Sequence, residues 1–284
     1  MLLWLVACTV NNASPIAEAR SGGRGFWPAN SPTAVEGAMR LELDGIELDV
    51  VMTQDDVPVL WASDVLRPPC ELEGGEGLPL DISATFYDDL RGARCGGEPD
   101  ARYPNALVVP EPLLRLDAVL ETLRQEGQPE LRVHLHLHEP DSLPDDGWHA
   151  RMAAEVLVRW RNADPPQSLV ISSESLDQLD AVQVEARRLL VPLITIWRVH
   201  PEVPTGLEPL HGVLSQASGA GVGGVGVHWT ALRRTWATRA ASQGLMVVTY
   251  PVNGTSELSR AMRWPLFGVM TDYPADVTAT ATQP

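Results

Sequence analysis

The chain has 284 residues, 44% of them hydrophobic, with 37 acidic against 21 basic side chains and a net charge of −16. The apolar content excludes a disordered chain, and the acid excess argues against a phosphate-backbone partner, so no nucleic acid is expected. Every basic residue is arginine, which leaves no lysine amine for chemistry. The length suits one large domain or two small ones, and single α/β barrels reach this size.

In chain order, the start MLLWLVACTVNNAS is a short apolar run that ends at Cys8. It is similar to the end of a bacterial lipoprotein signal, in which Cys8 would carry lipid; a frayed apolar terminus is the alternative. The expectation is a signal and anchor segment over residues 1–14 and a barrel domain over residues 15–284. The protein would then be an exported, periplasmic or outer-membrane lipoprotein of a bacterium, touching the membrane only through that anchor. No later segment is long and apolar enough to span a bilayer.

The stretch GIELDVVMT (45–53) reads as a strand, and VPVLWAS (57–63) as a second, joined by a turn at Gln54, Asp55 and Asp56. A loop insertion follows at about 65–108, holding Cys70 and Cys95. With Cys8 lipidated, these two form an even pair, and an oxidising compartment would permit a disulfide. Helical spacing covers 110–127, and LRVHLHLH (131–138) alternates as a strand. Further strands are expected at 168–174, 191–199, 222–229, 244–252 and 267–273. Helices are expected at 148–162, 175–190 with Ser175 as N-cap, 208–218, 230–243 and 254–263.

Buried strands alternating with helices predict a parallel sheet covered by helices. Closure into a (β/α)8 barrel requires an eighth strand near residues 16–22; an open doubly wound sheet is the alternative. Catalytic groups of such a barrel sit at the C-terminal ends of its strands. Glu47 and Asp49 are two residues apart on one strand and share a face. Inside a barrel mouth such a pair is costly unless a cation or a proton compensates it, and hard cations take these oxygen ligands. His134, His136 and His138 share a strand face too.

From WPANSPTAVEGAMRLELDGIELDVVMTQDDVPVLW, through LVISSESLDQL, to VVTYPVN and GVMTDYPAD, the chain resembles the glycerophosphodiester phosphodiesterase family. The resemblance runs over essentially everything after residue 15. It implies a TIM (β/α)8 barrel of the phospholipase-C-like phosphodiesterase type. It also implies a divalent cation, Ca2+ or Mg2+, held by Glu-x-Asp and a further Glu, and two histidines acting as general acid and base. The ligand implied is a glycerophosphodiester or phospholipid head group, in lipid metabolism.

This chain departs from that pattern. Counting back from Pro28, the first histidine position falls on Arg20, or on Ala19 or Gly23 if the alignment shifts. The second falls on Ala62, with Ser63 in the place of its Asp, or on Ser63 with Asp64 as that Asp. The first histidine of the whole chain is His134. The Glu of Pro-Glu-Asn is Ala29, and the strand Glu and Lys become His136 and His138; Glu47 and Asp49 alone keep their identity. Three readings follow: a barrel that keeps the fold and has lost the reaction, a non-catalytic barrel that binds a head group or a protein partner, and a metal hydrolase. In the last, Glu47, Asp49 and His136 hold an ion, with imidazole shifting the preference toward Zn2+. Trp27, Trp61, His138 and His228 are expected around a pocket, while His149, His200 and His211 are isolated and Asp272 reads as a turn or cap.

Overall fold

The computed structural model describes residues 15–41, 43–67, 70–72, 78–199 and 207–275. Cys8 and the expected anchor segment lie outside the described residues, as does His200. Eight parallel strands close into a barrel: β1 (Ile16–Ala19), β2 (Gly45–Met52), β3 (Arg132–Leu137), β4 (Ser168–Ser173), β5 (Leu193–Arg198), β6 (Gly224–His228), β7 (Met246–Tyr250) and β8 (Gly268–Thr271). They pair in chain order, and β1 bonds to both β8 and β2, which completes the ring. The expected eighth strand is therefore Ile16–Ala19, and the open-sheet alternative falls.

Burial explains the alternation of elements. All eight residues of β2 are buried, but its two faces differ. Ile46, Leu48 and Val50 pack outward in the main apolar core, while Glu47 and Asp49 turn to the barrel interior. The helix Leu116–Glu126 buries Leu116, Val119, Leu120 and Leu123, an i, i+3, i+4, i+7 stripe against the sheet. Each such side chain contributes about 1.5–3 kcal/mol when fully buried. Ser175 caps the helix Leu176–Leu189, its hydroxyl accepting from the Gln178 N–H as expected. A second apolar cluster of Val170, Ile196, Val248, Tyr250 and Met270 fills the barrel itself. Among the described residues no helix is long and apolar enough to cross a membrane.

Several boundaries differ from the sequence reading, among them the helix expected from residue 230, which begins at Arg234. The helix expected from residue 110 begins at Leu116, because Pro110 and Pro112 hold the chain extended and Glu111–Pro112 instead pairs with Arg94–Cys95. The hairpin strand is only Pro58–Leu60, antiparallel to β2. Beyond it the insertion has its own small core of Val59, Leu66, Ile82, Leu90 and Leu113 against Val51. Cys70 and Cys95 form a disulfide within it, 25 residues apart in sequence. Closing a loop of that length stabilises the fold by about 3–4 kcal/mol in the chain-entropy model. Thiol labelling mapped by mass spectrometry is therefore expected to miss Cys70 and Cys95 until the protein is reduced. Reduction should lower the unfolding free energy by about that amount; full labelling without reduction would contradict the bridge.

Candidate functional site

The residue order of β2 and β3 builds the site. Their parallel register sets Glu47 opposite His134 and Asp49 opposite His136, and His136 opposite Ser172 on β4. All of these alternate inward. His134 lies at the barrel floor, its Nδ1 3.0 Å from Glu18 Oε2 and its Nε2 2.8 Å from Ser172 Oγ. Arg132 adds a cation, Nη1 3.3 Å from Glu18 Oε1. Gly45 and Gly268 make room for the Glu18 side chain, since a Cβ at either would lie 2.7 Å from its Cγ or 2.9 Å from its Oε1.

Higher in the barrel, Asp49 is fully engaged. Its Oδ2 accepts from Ser21 Oγ at 2.7 Å and from Asn30 Nδ2 at 2.9 Å, and its Oδ1 from His138 Nε2 at 2.8 Å. Asn30 Oδ1 in turn accepts from the Asp49 N–H at 2.9 Å. Ser21 serves both acids, because its N–H donates to Glu47 Oε2 at 2.7 Å. Ser21 and Asn30 hold left-handed backbone, with φ of 49° and 58°. Such conformations are uncommon away from glycine and cluster at functional sites.

Glu47 takes its charge partner from across the barrel. Arg198, at the end of β5, donates from Nη2 to Glu47 Oε1, and the two side chains are 5% and 0% exposed. The guanidinium lies over the Tyr250 ring, 4.8 Å from its centroid. Burial works against the Arg198 charge, but Glu47, with Tyr250 and Asp49, outweighs it and raises its pKa. Burial likewise pushes the Asp49 carboxyl up, yet the hydrogen bond and charge of His138 hold it well below the usual carboxylate range. Burial, then Arg198, push His136 well below the ordinary imidazole value, so it is neutral.

The rim carries a second polar knot. Arg20, directly after β1, reaches Asp272 at 3.2 Å. Asp272 Oδ2 also accepts from the Tyr103 hydroxyl of the insertion at 2.9 Å and from Asn253 Nδ2 at 2.7 Å. Burial above all pushes the Tyr103 phenol up to about 12. Asp272, expected as a turn or cap, thus ties three elements together.

The expected residues divide as follows. Asp49, His136 and His138 place their ligand atoms within 4.8 Å of one another, and the last two rings meet edge to face at 4.4 Å. Glu47 lies apart from this group, occupied by Arg198 and Ser21. Trp27, Trp61 and Ala62 line a cavity of about 430 Å³ beside the mouth, which Asn30 borders too. His228 bonds Thr230 Oγ1 at 2.8 Å and meets Tyr250 edge-on at 6.2 Å. His149 pairs with Glu139 at 3.1 Å, outside the site. Sequence reasoning missed Arg198, Ser21, Asn30, Ser172 and Tyr250. The parity of Ile194, Ile196 and Arg198 on β5 would have marked the arginine as inward-facing.

A model of the glycerophosphoryl diester phosphodiesterase family matches residues 21–276. The chain belongs to that family. It is 23% identical over 259 residues to the glycerophosphodiester phosphodiesterase of Bacillus subtilis (strain 168), covering 90% of this chain and 83% of that one. A Silicibacter pomeroyi DSS-3 structure assigned to the family superposes with a TM-score of 0.82 at 21% identity, covering 95% of this chain and 93% of the other. A phosphodiesterase of Oleispira antarctica, in complex with the product sn-glycerol-3-phosphate, gives 0.73 at 20% identity, covering 95% and 98%.

The family uses a divalent cation, and the donors here suit a hard one poorly. Arg198 balances Glu47, and what remains is one carboxylate and two imidazoles. Such a set favours a transition ion over Ca2+ or Mg2+.

The floor yields a test of its own. Burial pushes the Glu18 carboxyl up, but His134 and Arg132 outweigh it and its pKa falls below the ordinary 4.5. A depressed carboxylate stabilises the fold in full above its unfolded pKa, and this is lost as pH falls through the folded value. Glu18→Gln should destabilise the protein by about 3–5 kcal/mol at neutral pH, as expected for a broken buried pair. The gap to wild type in denaturant unfolding should narrow as pH drops below 4.5; a pH-independent gap would contradict this assignment.

Proposed function

We propose that this chain is a family barrel in which the two-histidine phosphodiester reaction has lapsed, and that it binds a glycerophosphodiester or phospholipid head group. The observation that carries this reading is the pair of residues at the family's histidine positions. Arg20 stands at the end of β1, committed to Asp272, and Ala62 stands beyond the hairpin strand, in the wall of the cavity. Guanidinium keeps its proton at any ordinary pH, and a methyl group carries none to exchange. Losing one general acid or base costs on the order of 10²–10⁴ in rate, so losing both leaves little of the reaction.

Binding asks less of the site than turnover does. Arg24 and Arg67 border the cavity, and neither forms an ion pair among the described residues, so both are available to a phosphate. Trp27 and Trp61 offer apolar walls to the organic part of a ligand. With glycerophosphocholine and Ca2+, Mg2+ or Zn2+, purified protein is expected to bind in calorimetric titration without turnover. A rate of roughly 1 s⁻¹ or more, ordinary for an enzyme, would overturn the reading.

The grouping of Asp49, His136 and His138 supports a second reading, a metal-dependent hydrolase. These three would hold a zinc-like ion, and when bound there it supplies a water activated for attack. His138 would have to yield its hydrogen bond to Asp49. Zinc-loaded wild type should then retain one equivalent of metal after desalting, and a His136→Ala variant little; equal content in both would remove this reading.

A further inference from the structure

Two carboxylates inside a barrel need positive charge close by, and a buried carboxylate without it is strongly destabilising. Asp49 is met by hydrogen bonds, from Ser21, Asn30 and the His138 ring at the rim. For Glu47 the contacting cation is Arg198, carried 151 residues further along the chain, with the Arg20 charge nearby. The arginine is built into its place. Its Cγ and the Tyr250 ring lie close to Gly226, where a Cβ would sit 3.1 Å and 3.3 Å from them, so a larger residue there would press on the arginine by a few tenths of an ångström. The Tyr250 face supports the guanidinium, as aromatic faces support cations. The second oxygen of Glu47 is closed by the Ser21 N–H.

We propose that Arg198 is the resident cation of this barrel: it fills the charge-balancing role opposite Glu47 that a divalent ion would otherwise take, so the folded chain neither needs nor admits Ca2+ or Mg2+ there. The proposal goes beyond the functional reading and stands whether or not a zinc-like ion binds Asp49, His136 and His138, a group that excludes Glu47. A guanidinium also differs from a metal in what it offers a ligand. It lends charge and fixed N–H donors but holds no exchangeable water, so a site balanced in this way suits binding rather than hydrolysis.

The test compares wild type, Arg198→Met and the double variant Arg198→Met/Glu47→Gln, each in chelator and in millimolar Ca2+ or Mg2+. Thermal unfolding and calorimetric titration are the readouts. Wild type should show the same midpoint in all conditions and no heat of binding. Arg198→Met should fall by on the order of 10 °C in chelator and recover when either cation is added. The double variant, with the pair removed as a unit, should regain stability without a cation and ignore both. If Arg198→Met does not fold while the double variant does, the uncompensated Glu47 is the cause and the proposal holds. One Ca2+ or Mg2+ per wild-type chain, with a raised midpoint, would overturn it. So would an Arg198→Met variant blind to both cations, or a double variant as unstable as the single one, which would mark Arg198 as a packing residue.

Discussion

Everything at the mouth of this barrel answers one electrostatic demand. β2 sends Glu47 and Asp49 into a closed interior, and each charge must be met by cations or by N–H and O–H donors. Arg198 crosses from the opposite wall, Ser21 bridges the two acids, Asn30 clasps Asp49 by side chain and backbone, and His138 closes its remaining oxygen. The irregular loop after β1 exists in this form because its donors have somewhere definite to point. The helix Pro32–Arg40 then starts at Ser31, whose hydroxyl caps the Ala34 N–H.

The same demand separates scaffold from chemistry. Parallel barrels place reactive groups on strand ends and loops, and those positions can change without disturbing the outer core. Here the outer core is continuous from Ala19 to Val269, and on the proposed reading it is the reactive positions alone that have changed, to Arg20, Ala62 and His136. The insertion adds a wall that the barrel alone would lack. Through Tyr103, which also lines the cavity, it is fastened to Asp272 at the end of β8.

The fold was largely legible because its signals are local. β3 alternates, the helix Leu116–Glu126 repeats its apolar stripe, and Ser175 announces a helix start. β1 has only four residues and could be inferred only from the need to close the ring. The site was half legible for the same reason. Strand parity sets the direction of Glu47, Asp49 and His136, but which inward side chain crosses the lumen to meet which acid depends on closure, so Arg198 stayed hidden. Ser21 and Asn30 lie in a loop without period, and their roles come from left-handed backbone that sequence spacing does not encode. The pairing of Cys70 with Cys95 was expected only on the premise that Cys8 is set apart in an oxidising compartment; the disulfide itself is present.

One hydroxyl joins the floor of the barrel to its mouth. Ser172 Oγ lies 2.8 Å from His134 Nε2 and 3.1 Å from His136 Nδ1, and it has a single proton to give. Glu18 fixes a proton on His134 Nδ1. If the Nε2 of that ring is bare, Ser172 must donate to it and accept from His136, which leaves the outer nitrogen of His136 with a lone pair. If it is protonated, Ser172 turns the other way and the outer nitrogen of His136 becomes a donor. The polarity of the mouth is thus written two layers below it, and whether His136 meets a ligand as acceptor or donor is settled where no ligand reaches.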